Sequence, residues 1–184
     1  MDMDKLQYDL KIPRDRIAVL IGKDGITKKE IEDATKTRLD IDSTEGDIFI
    51  KGEDGFNIYT AKEIINAIGR GFNPEVALLL LKFDYAFEII NLADYTGKSK
   101  DSQLRLKGRV IGRDGKTRML IEELSETYIS VYGKTVSIIG NTENVSVAHH
   151  AINMLVEGST HSSVYKWLEK KRKEMKRNEI MGKE

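Results

Sequence analysis

What this 184-residue sequence lacks excludes several kinds of chemistry. It contains no cysteine, which excludes disulfides, a thiol nucleophile and thiolate metal sites. No apolar run approaches the roughly 20 residues that cross a bilayer. The acidic start, Met1-Asp2-Met3-Asp4, lacks the apolar core of a signal peptide. The sequence therefore predicts a soluble, cytoplasmic protein with no membrane partner.

Charge is abundant but balanced, with 30 basic and 30 acidic residues. Net charge therefore does not indicate a nucleic-acid partner, and any basic surface must come from segregation of charge along the chain. Such segregation is present, because residues 98–118 hold eight basic residues against two acidic ones. Residues 14–38 hold seven against five, whereas residues 40–54 are acidic. Positive charge is thus expected on two segments, most strongly on the second.

Only two prolines occur, and both mark predicted boundaries. Pro13 ends an alternating strand pattern, and Pro74 separates two similar stretches of chain. The run Ala77–Leu81 is too apolar for a flexible linker, so a connecting helix is predicted there. The predicted organisation is a domain at 3–72, an apolar connecting helix at 73–81, a domain at 82–158, and a basic C-terminal helix and tail at 159–184.

A repeat dominates the remaining pattern. The stretch Ile21-Gly22-Lys23-Asp24-Gly25 recurs ninety residues later as Ile111-Gly112-Arg113-Asp114-Gly115. Further identities at the same spacing, or at 88 beyond a two-residue shortening, link these pairs: Thr27 and Thr117, Ile31 and Ile121, Glu32 and Glu122, Thr37 and Thr127, Ile50 and Ile138, Gly52 and Gly140, Ile64 and Ile152. The match spans a module of about 70 residues, which indicates duplication.

Each copy is predicted to run strand, helix, glycine loop, helix, strand, strand, helix. The second copy also carries a polar loop from Asp94 to Ser102 that the first lacks. Ser102 is predicted to be the N-cap of a helix that begins at Gln103. The basic residues after Leu168 are expected to form a tail that frays.

The glycine loops have the composition of a phosphate-binding turn. Glycine lacks a Cβ and accepts positive φ, so another backbone can approach closely. Each loop also leads into a helix N-terminus, where unpaired N–H groups and the helix dipole favour an anion. The residues alone leave open which phosphate is bound.

The order of elements, with Ile-Gly-x-x-Gly between two helices after a strand, resembles the type I KH domain, an RNA-binding module. The resemblance covers nearly the whole chain. It implies an α+β fold of two tandem type I KH domains (β-α-α-β-β-α), each a three-stranded antiparallel sheet with three helices, plus a C-terminal helix. In this family the loop clamps about four nucleotides of a single strand.

The resemblance also implies which residues contact RNA. The loop residues Gly22, Lys23, Asp24 and Gly25 would hold phosphates in the first copy, as Gly112, Arg113, Asp114 and Gly115 would in the second. Basic residues on the helix after each loop would add phosphate contacts; these are Lys28, Lys29, Lys116 and Arg118. Arg38 occupies the position where the family often recognises a base edge, and Tyr128 replaces it in the second copy. Tyrosine can stack on a base but lacks the fork of donors, so the copies should differ in specificity.

Two catalytic or metal-dependent alternatives fail on spacing. Gly115-Lys116-Thr117 ends like a Walker A loop, but Val110 stands where the first glycine is required. His149 and His150 are adjacent and so lie on different helix faces, with no supporting ligand spacing. No enzyme activity, no cofactor and no metal site are therefore expected.

Two KH modules with intact loops resemble the archaeal relatives of the Pno/Krr-type small-subunit ribosome assembly factors. The resemblance rests on Thr35-Lys36-Thr37-Arg38 and on residues 112–117. It implies binding of single-stranded small-subunit rRNA near its 3′ end during ribosome biogenesis. It also implies contacts with a PIN-domain endonuclease and the alpha subunit of translation initiation factor two. The alternatives are a protein-interaction scaffold with relic KH loops, or an RNA-capture subunit of an RNA-degrading complex.

Overall fold

A computed structural model describes residues 6–182. The acidic start at residues 1–4 and the last two residues of the predicted tail lie outside this range. The chain divides into two compact units, with the division between Tyr85 and Ala86. No helix within the described range is both long and apolar enough to span a membrane.

The first unit contains three strands and four helices in the predicted order. Pro13 precedes the first helix, and the helix that begins at Pro74 continues as a 3₁₀ turn, Leu78–Leu81. The bounds are β1 Leu6–Lys11, α1 Arg14–Ile21, α2 Ile26–Thr35, β2 Arg38–Ile41, β3 Asp47–Gly52, α3 Gly55–Gly69 and α4 Pro74–Ala77.

The sheet of the first unit has the order β1-β3-β2, so the second hairpin strand lies in the centre. Both pairings are antiparallel, with Ile50 opposite Tyr8 on one side and Leu39 on the other. Ile48 and Ile50 are fully buried, as is Ile64 of α3, because alternate residues of β3 face the helices. Burial of one sheet face against helices is what fixes this register.

The second unit repeats the β-α-α-β-β-α order of the first and has two further helices, α5 (Ala93–Thr96) and α9 (His161–Met181). Its sheet has the order β4-β6-β5, and β5 pairs antiparallel with β6. The bounds are β4 Tyr85–Asn91, α5 Ala93–Thr96, α6 Lys100–Ile111, α7 Lys116–Ser125, β5 Tyr128–Tyr132, β6 Thr135–Asn141, α8 Thr142–Val156 and α9 His161–Met181. The order β-α-α-β-β-α predicted for each copy is therefore confirmed.

Three local predictions in the second unit are wrong. Ser102 is not the N-cap, because Ser99 accepts the hydrogen bond from the Ser102 N–H at 3.3 Å and α6 begins one turn earlier. The loop after β4 contains a helical turn, α5. The basic tail does not fray, since α9 remains helical to Met181 with ion pairs such as Lys171 to Glu174 at 2.9 Å. Such i,i+3 and i,i+4 pairs stabilise an exposed helix.

The corner between the second helix and the next strand is the same in both units. Lys36 and Glu126 end their helices in the left-handed region, with φ of 52° and 54°. On either side of Glu126, the buried hydroxyls of Ser125 and Thr127 are 2.8 Å apart. The equivalent threonines flanking Lys36 make the same contact at 2.8 Å. Two non-glycine residues thus hold a conformation that normally favours glycine.

We expect Glu126→Gly to raise the free energy of unfolding by about 1 kcal/mol, because glycine relieves the cost of left-handed φ at this exposed position. Urea unfolding measures this change in the free energy of unfolding. The single tryptophan, Trp167, packs against the core of the second unit and reports on that unit. Glu126→Ala is the control, since it removes the same side chain without relieving φ. Equal stability of the two variants would contradict the argument.

Candidate nucleic-acid interface

The two glycine loops have nearly identical backbones. The first glycine of each has φ of 73°, at Gly22 and Gly112, and ends the preceding helix. The next three residues form a 3₁₀ turn, which closes when the Gly25 N–H donates to the Gly22 carbonyl at 3.3 Å. The Gly115 N–H makes the same bond at 3.2 Å. The two copies thus share the geometry of the loop as well as most of its residues.

The two glycines of each loop are required for different reasons. A Cβ on Gly22 would overlap the Thr27 side chain, and one on Gly112 would overlap Thr117. Gly25, in contrast, has φ of 77° and no described atom within 4 Å of an added Cβ. The first glycine is therefore needed for packing against the following helix. The second leaves the outer face of the loop open to a ligand backbone.

Asp24 and Asp114 occupy the loops because of their backbone conformation. Their φ values are 54° and 53°, in the left-handed region that asparagine and aspartate tolerate better than most residues. Both carboxylates lie on the exposed surface, and the Asp114 side chain is 80% exposed. These aspartates therefore have a conformational explanation that does not require them to contact phosphate.

The helices that follow the loops begin without side-chain caps. Gly25 and Gly115 are the N-caps of α2 and α7, and neither can supply a side-chain acceptor. The other four helices of similar or greater length from α3 onward are capped by Asp54, Ser99, Asn141 and Thr160. Ile26 and Lys116, the first residues of α2 and α7, donate their N–H groups to the carbonyls of Lys23 and Arg113. No capping side chain occupies the rest of these positive helix ends, where an anion is favoured.

In the first unit a groove lies between α2 and the edge strand β2. It encloses about 610 Å³, and its lining includes the carboxylates of Asp40 and Glu53 and four cations, which are Lys28, Lys36, Arg38 and Lys51. Lys51 pairs with Asp40 at 3.8 Å, so the cations remain in excess. The structure therefore brings together Lys28 and Arg38, which the sequence analysis proposed separately. Lys29 is exposed on α2 outside this lining. Four cations facing one groove favour a polyanion that threads along it.

A carboxylate fixes the strand that carries Arg38. Glu32 on α2 accepts a hydrogen bond from the Leu39 N–H at 2.7 Å. Glu122 accepts the equivalent bond from the Ile129 N–H, also at 2.7 Å. These bonds tie the helix after each loop to the first residues of the next strand. They therefore set the positions of Arg38 and Tyr128 relative to the loops.

The second unit presents different chemistry at matching positions. Arg118, which matches Lys28, forms an ion pair with Glu122 at 3.1 Å and is half-buried. Tyr128 is 45% exposed at the start of β5, so its ring is accessible. Lys116 and Arg113 are exposed, and the Arg113 side chain is 93% exposed. In this unit the loop and the tyrosine are therefore more accessible than Arg118.

The positive segment at residues 98–118 offers less free charge than its composition predicts. The Arg109 guanidinium donates from Nε to the Leu155 carbonyl at 2.8 Å, where α8 ends. Arg105 donates to the Ser102 hydroxyl at 3.1 Å but remains exposed. Arg109 and Arg118 thus serve internal contacts, and Arg105, Arg113 and Lys116 remain on the surface.

Some residues near the interface were missed by the sequence analysis. Lys51 lies opposite Arg38 in the β2–β3 pairing, so the register of the hairpin could have identified it. Arg105, His161 and Tyr165 line a pocket beside the second loop, and α9 supplies two of them. The repeat gives no signal for α9, because the first copy contains no counterpart.

The histidines make ordinary protein contacts. His149 Nδ1 lies 2.9 Å from Glu88, and the His150 ring packs 4.6 Å from that of Trp167. His161 Nε2 lies 2.9 Å from the Arg109 carbonyl. Within residues 6–182, no group of three or more histidine, aspartate or glutamate side chains could hold a metal ion.

Family models match both units. Residues 7–67 match the KH domain, and residues 86–173 match the eukaryotic type KH-domain (KH-domain type I). The second match extends beyond α8 into α9, so that model includes part of the C-terminal helix.

Similar proteins span archaea and eukaryotes. A KH domain-containing protein of Methanocaldococcus jannaschii is 47% identical, over 95% of this chain and 78% of its own length. The pre-rRNA-processing protein PNO1 of Gibberella zeae is 32% identical over 67% of this chain. That alignment covers only 45% of the length of PNO1. A chain in the crystal structure of the a/eIF2alpha–aDim2p–rRNA complex from Pyrococcus horikoshii OT3 is 48% identical, with a TM-score of 0.86. That match covers 94% of this chain and 97% of the other.

We expect Glu122→Ala to lower the free energy of unfolding by about 2 kcal/mol, because it removes a charge-assisted hydrogen bond and leaves the Ile129 N–H without its acceptor. Glu122→Gln retains an acceptor oxygen and should lose less. Urea unfolding followed by Trp167 fluorescence measures both. A glutamine variant as unstable as the alanine variant would argue against the hydrogen bond as the main contribution.

Proposed function

The chain belongs to the KH-domain family that includes archaeal Dim2p and the eukaryotic pre-rRNA-processing protein PNO1, and on this basis we propose that it binds single-stranded small-subunit rRNA near its 3′ end. Each glycine loop binds part of the strand. The protein performs no chemistry on the RNA; it holds the strand for processing enzymes during ribosome biogenesis.

The observation that carries this proposal is the preserved geometry of both loops. Each offers a second glycine with space around it, an exposed cation and a helix N-terminus without a side-chain cap. This combination suits a phosphate backbone that approaches closely. A scaffold would keep Gly22 and Gly112 for packing, but it would have no packing reason to keep left-handed Gly25 and Gly115, so the alternative of a pure scaffold is disfavoured.

The two units divide the work of recognition. The first combines Lys28, Arg38 and Lys51 in one groove, where a guanidinium can donate to a base edge. The second exposes Tyr128, whose ring can stack on any base. The first unit therefore contributes more to sequence specificity, and the second contributes more to general affinity.

Two protein partners complete the proposed role. The Pyrococcus horikoshii complex contains a/eIF2alpha together with aDim2p and rRNA, which supports an equivalent contact for this chain with the alpha subunit of translation initiation factor two. A PIN-domain endonuclease that trims the 3′ end is the second partner, proposed from the family resemblance.

Reversing the loop charge tests the proposal. Lys23→Asp and Arg113→Asp should each weaken binding by about 10²-fold or more, because loss of one module removes the avidity that tethering provides. Fluorescence anisotropy measures the Kd of a labelled single strand with the 3′-terminal sequence of archaeal small-subunit rRNA. Lys23→Arg and Arg113→Lys keep the charge and should bind within about threefold of the parent.

A shuffled strand of equal composition tests the 3′-end assignment, and a duplex tests strandedness. Equal affinity for the native and shuffled strands would refute the 3′-end preference but leave single-strand binding intact. Unchanged affinity in both charge-reversal variants would refute the loop clamp itself.

Removing the loop carboxylates should have the opposite effect. Asp24→Asn and Asp114→Asn keep a residue that tolerates left-handed φ and remove a negative charge beside the phosphates. We expect each to tighten RNA binding by about twofold to fivefold at low salt, and less at high salt. Asp24→Ala and Asp114→Ala should not give this gain in full, since alanine disfavours the conformation. Weaker binding by the asparagine variants would show that the carboxylates contribute directly.

A further inference from the structure

An open pocket of about 550 Å³ lies beside the glycine loop of the second unit. The loop forms one side through Gly112 and Arg113, and α6 forms another through Arg105 and Gly108. The third side is α9, which contributes His161 and Tyr165. Its volume falls within the range of about 300–1,000 Å³ that is usual for small-ligand sites.

The α9 side of this pocket is held in place. Val164 and Leu168 are fully buried in the core of the second unit and anchor the helix. The Tyr165 hydroxyl lies 2.8 Å from the Thr117 hydroxyl, directly after the loop. His161 Nε2 lies 2.9 Å from the Arg109 carbonyl. The ring centroids of His161 and Tyr165 are 6.1 Å apart. The aromatic side chains are therefore positioned before any ligand arrives.

The pocket combines the two chemistries that a nucleotide needs. Arg105 and Arg113 are exposed guanidiniums that can bind a phosphate through paired donors. The rings of Tyr165 and His161 offer faces on which a base can stack. Gly108 has no described atom within 4 Å of an added Cβ, so the floor between these groups is open.

We propose that this pocket binds one further nucleotide of the single strand, directly next to those held by the second glycine loop. Its phosphate is bound by Arg105 and Arg113, and its base stacks against Tyr165. The inference rests on the proposed function, because it assigns an additional subsite to the same RNA. It makes α9 part of the RNA-binding surface of the second unit.

The first unit differs at two of the positions that the pocket requires. At the ninety-residue spacing Asp15 matches Arg105, which reverses the charge, and Ala18 matches Gly108. Thr27 is only half-buried, whereas its counterpart Thr117 is buried beneath α9. The additional nucleotide is therefore bound in the second unit alone.

Filling the pocket without removing a charge tests the assignment. The full chain carries Lys23→Asp throughout, so that only the loop of the second unit contributes. Gly108→Leu then places a side chain in the open floor, and Ala18→Leu is the matched control in the first unit. Anisotropy gives the Kd for fluorescein-labelled single-stranded RNA pools of randomised sequence, four and eight nucleotides long.

We expect Gly108→Leu to weaken binding of the eight-nucleotide pool by about 5- to 150-fold, the equivalent of one stacked base. Binding of the four-nucleotide pool, which the second glycine loop accommodates without the pocket, should not change. Ala18→Leu should affect neither. Unchanged binding of the longer pool by Gly108→Leu would overturn this inference alone. Failure of the folded background protein to bind either pool would overturn the proposed function with it.

A ring substitution provides a second test that does not depend on the helix interior. Tyr165→Phe keeps the stacking face and should bind the eight-nucleotide pool within about threefold of the background. Tyr165→Leu loses that face and should weaken binding of this pool by about 5- to 150-fold. Urea unfolding verifies that both variants are folded. Equal affinity of the two variants would overturn the stacking assignment.

Discussion

The packing of a threonine against the first glycine of each loop constrains everything around it. Thr27 fills the space that a Cβ on Gly22 would need, so the chain must turn there with positive φ. This turn ends α1, and α2 then begins without a side-chain cap. The loop, the N-terminus of α2 and the groove beside it therefore depend on the contact between the Thr27 side chain and Gly22, which has no side chain.

Duplication kept this framework and changed the chemistry placed on it. In both units a glutamate on the helix after the loop, Glu32 or Glu122, accepts a 2.7 Å hydrogen bond from a backbone N–H of the next strand. Beside it, Lys28 lines an open groove, whereas its counterpart Arg118 is held by Glu122. Identical backbones thus present different donors to a ligand. Such divergence lets two modules of the same fold differ in the sequences that they favour.

The sequence predicted the elements that repeat and failed where single contacts decide. Two copies of the same pattern made the order of strands, loops and helices secure, since each copy supported the other. The choice between Ser99 and Ser102 as N-cap depends on one hydrogen bond within a short polar stretch. The internal role of Arg109 depends on carbonyls 46 and 50 residues away, which no local pattern reveals. The pocket beside the second loop was equally invisible, because α9 reaches it through tertiary packing.

In each half an arginine of the first helix hydrogen-bonds to the end of a later helix, and its sequence position differs between the halves. Arg16 donates to the carbonyls of Ile68 and Phe72 at 2.8 Å, as Arg109 does to those at the end of α8. The two arginines are not counterparts at the ninety-residue spacing, where Arg16 matches Leu106. Each half therefore hydrogen-bonds the carbonyls at this helix end from a different turn of its first helix. The two halves thus meet the same physical requirement from different sequence positions, so a comparison at one fixed spacing conceals this shared role.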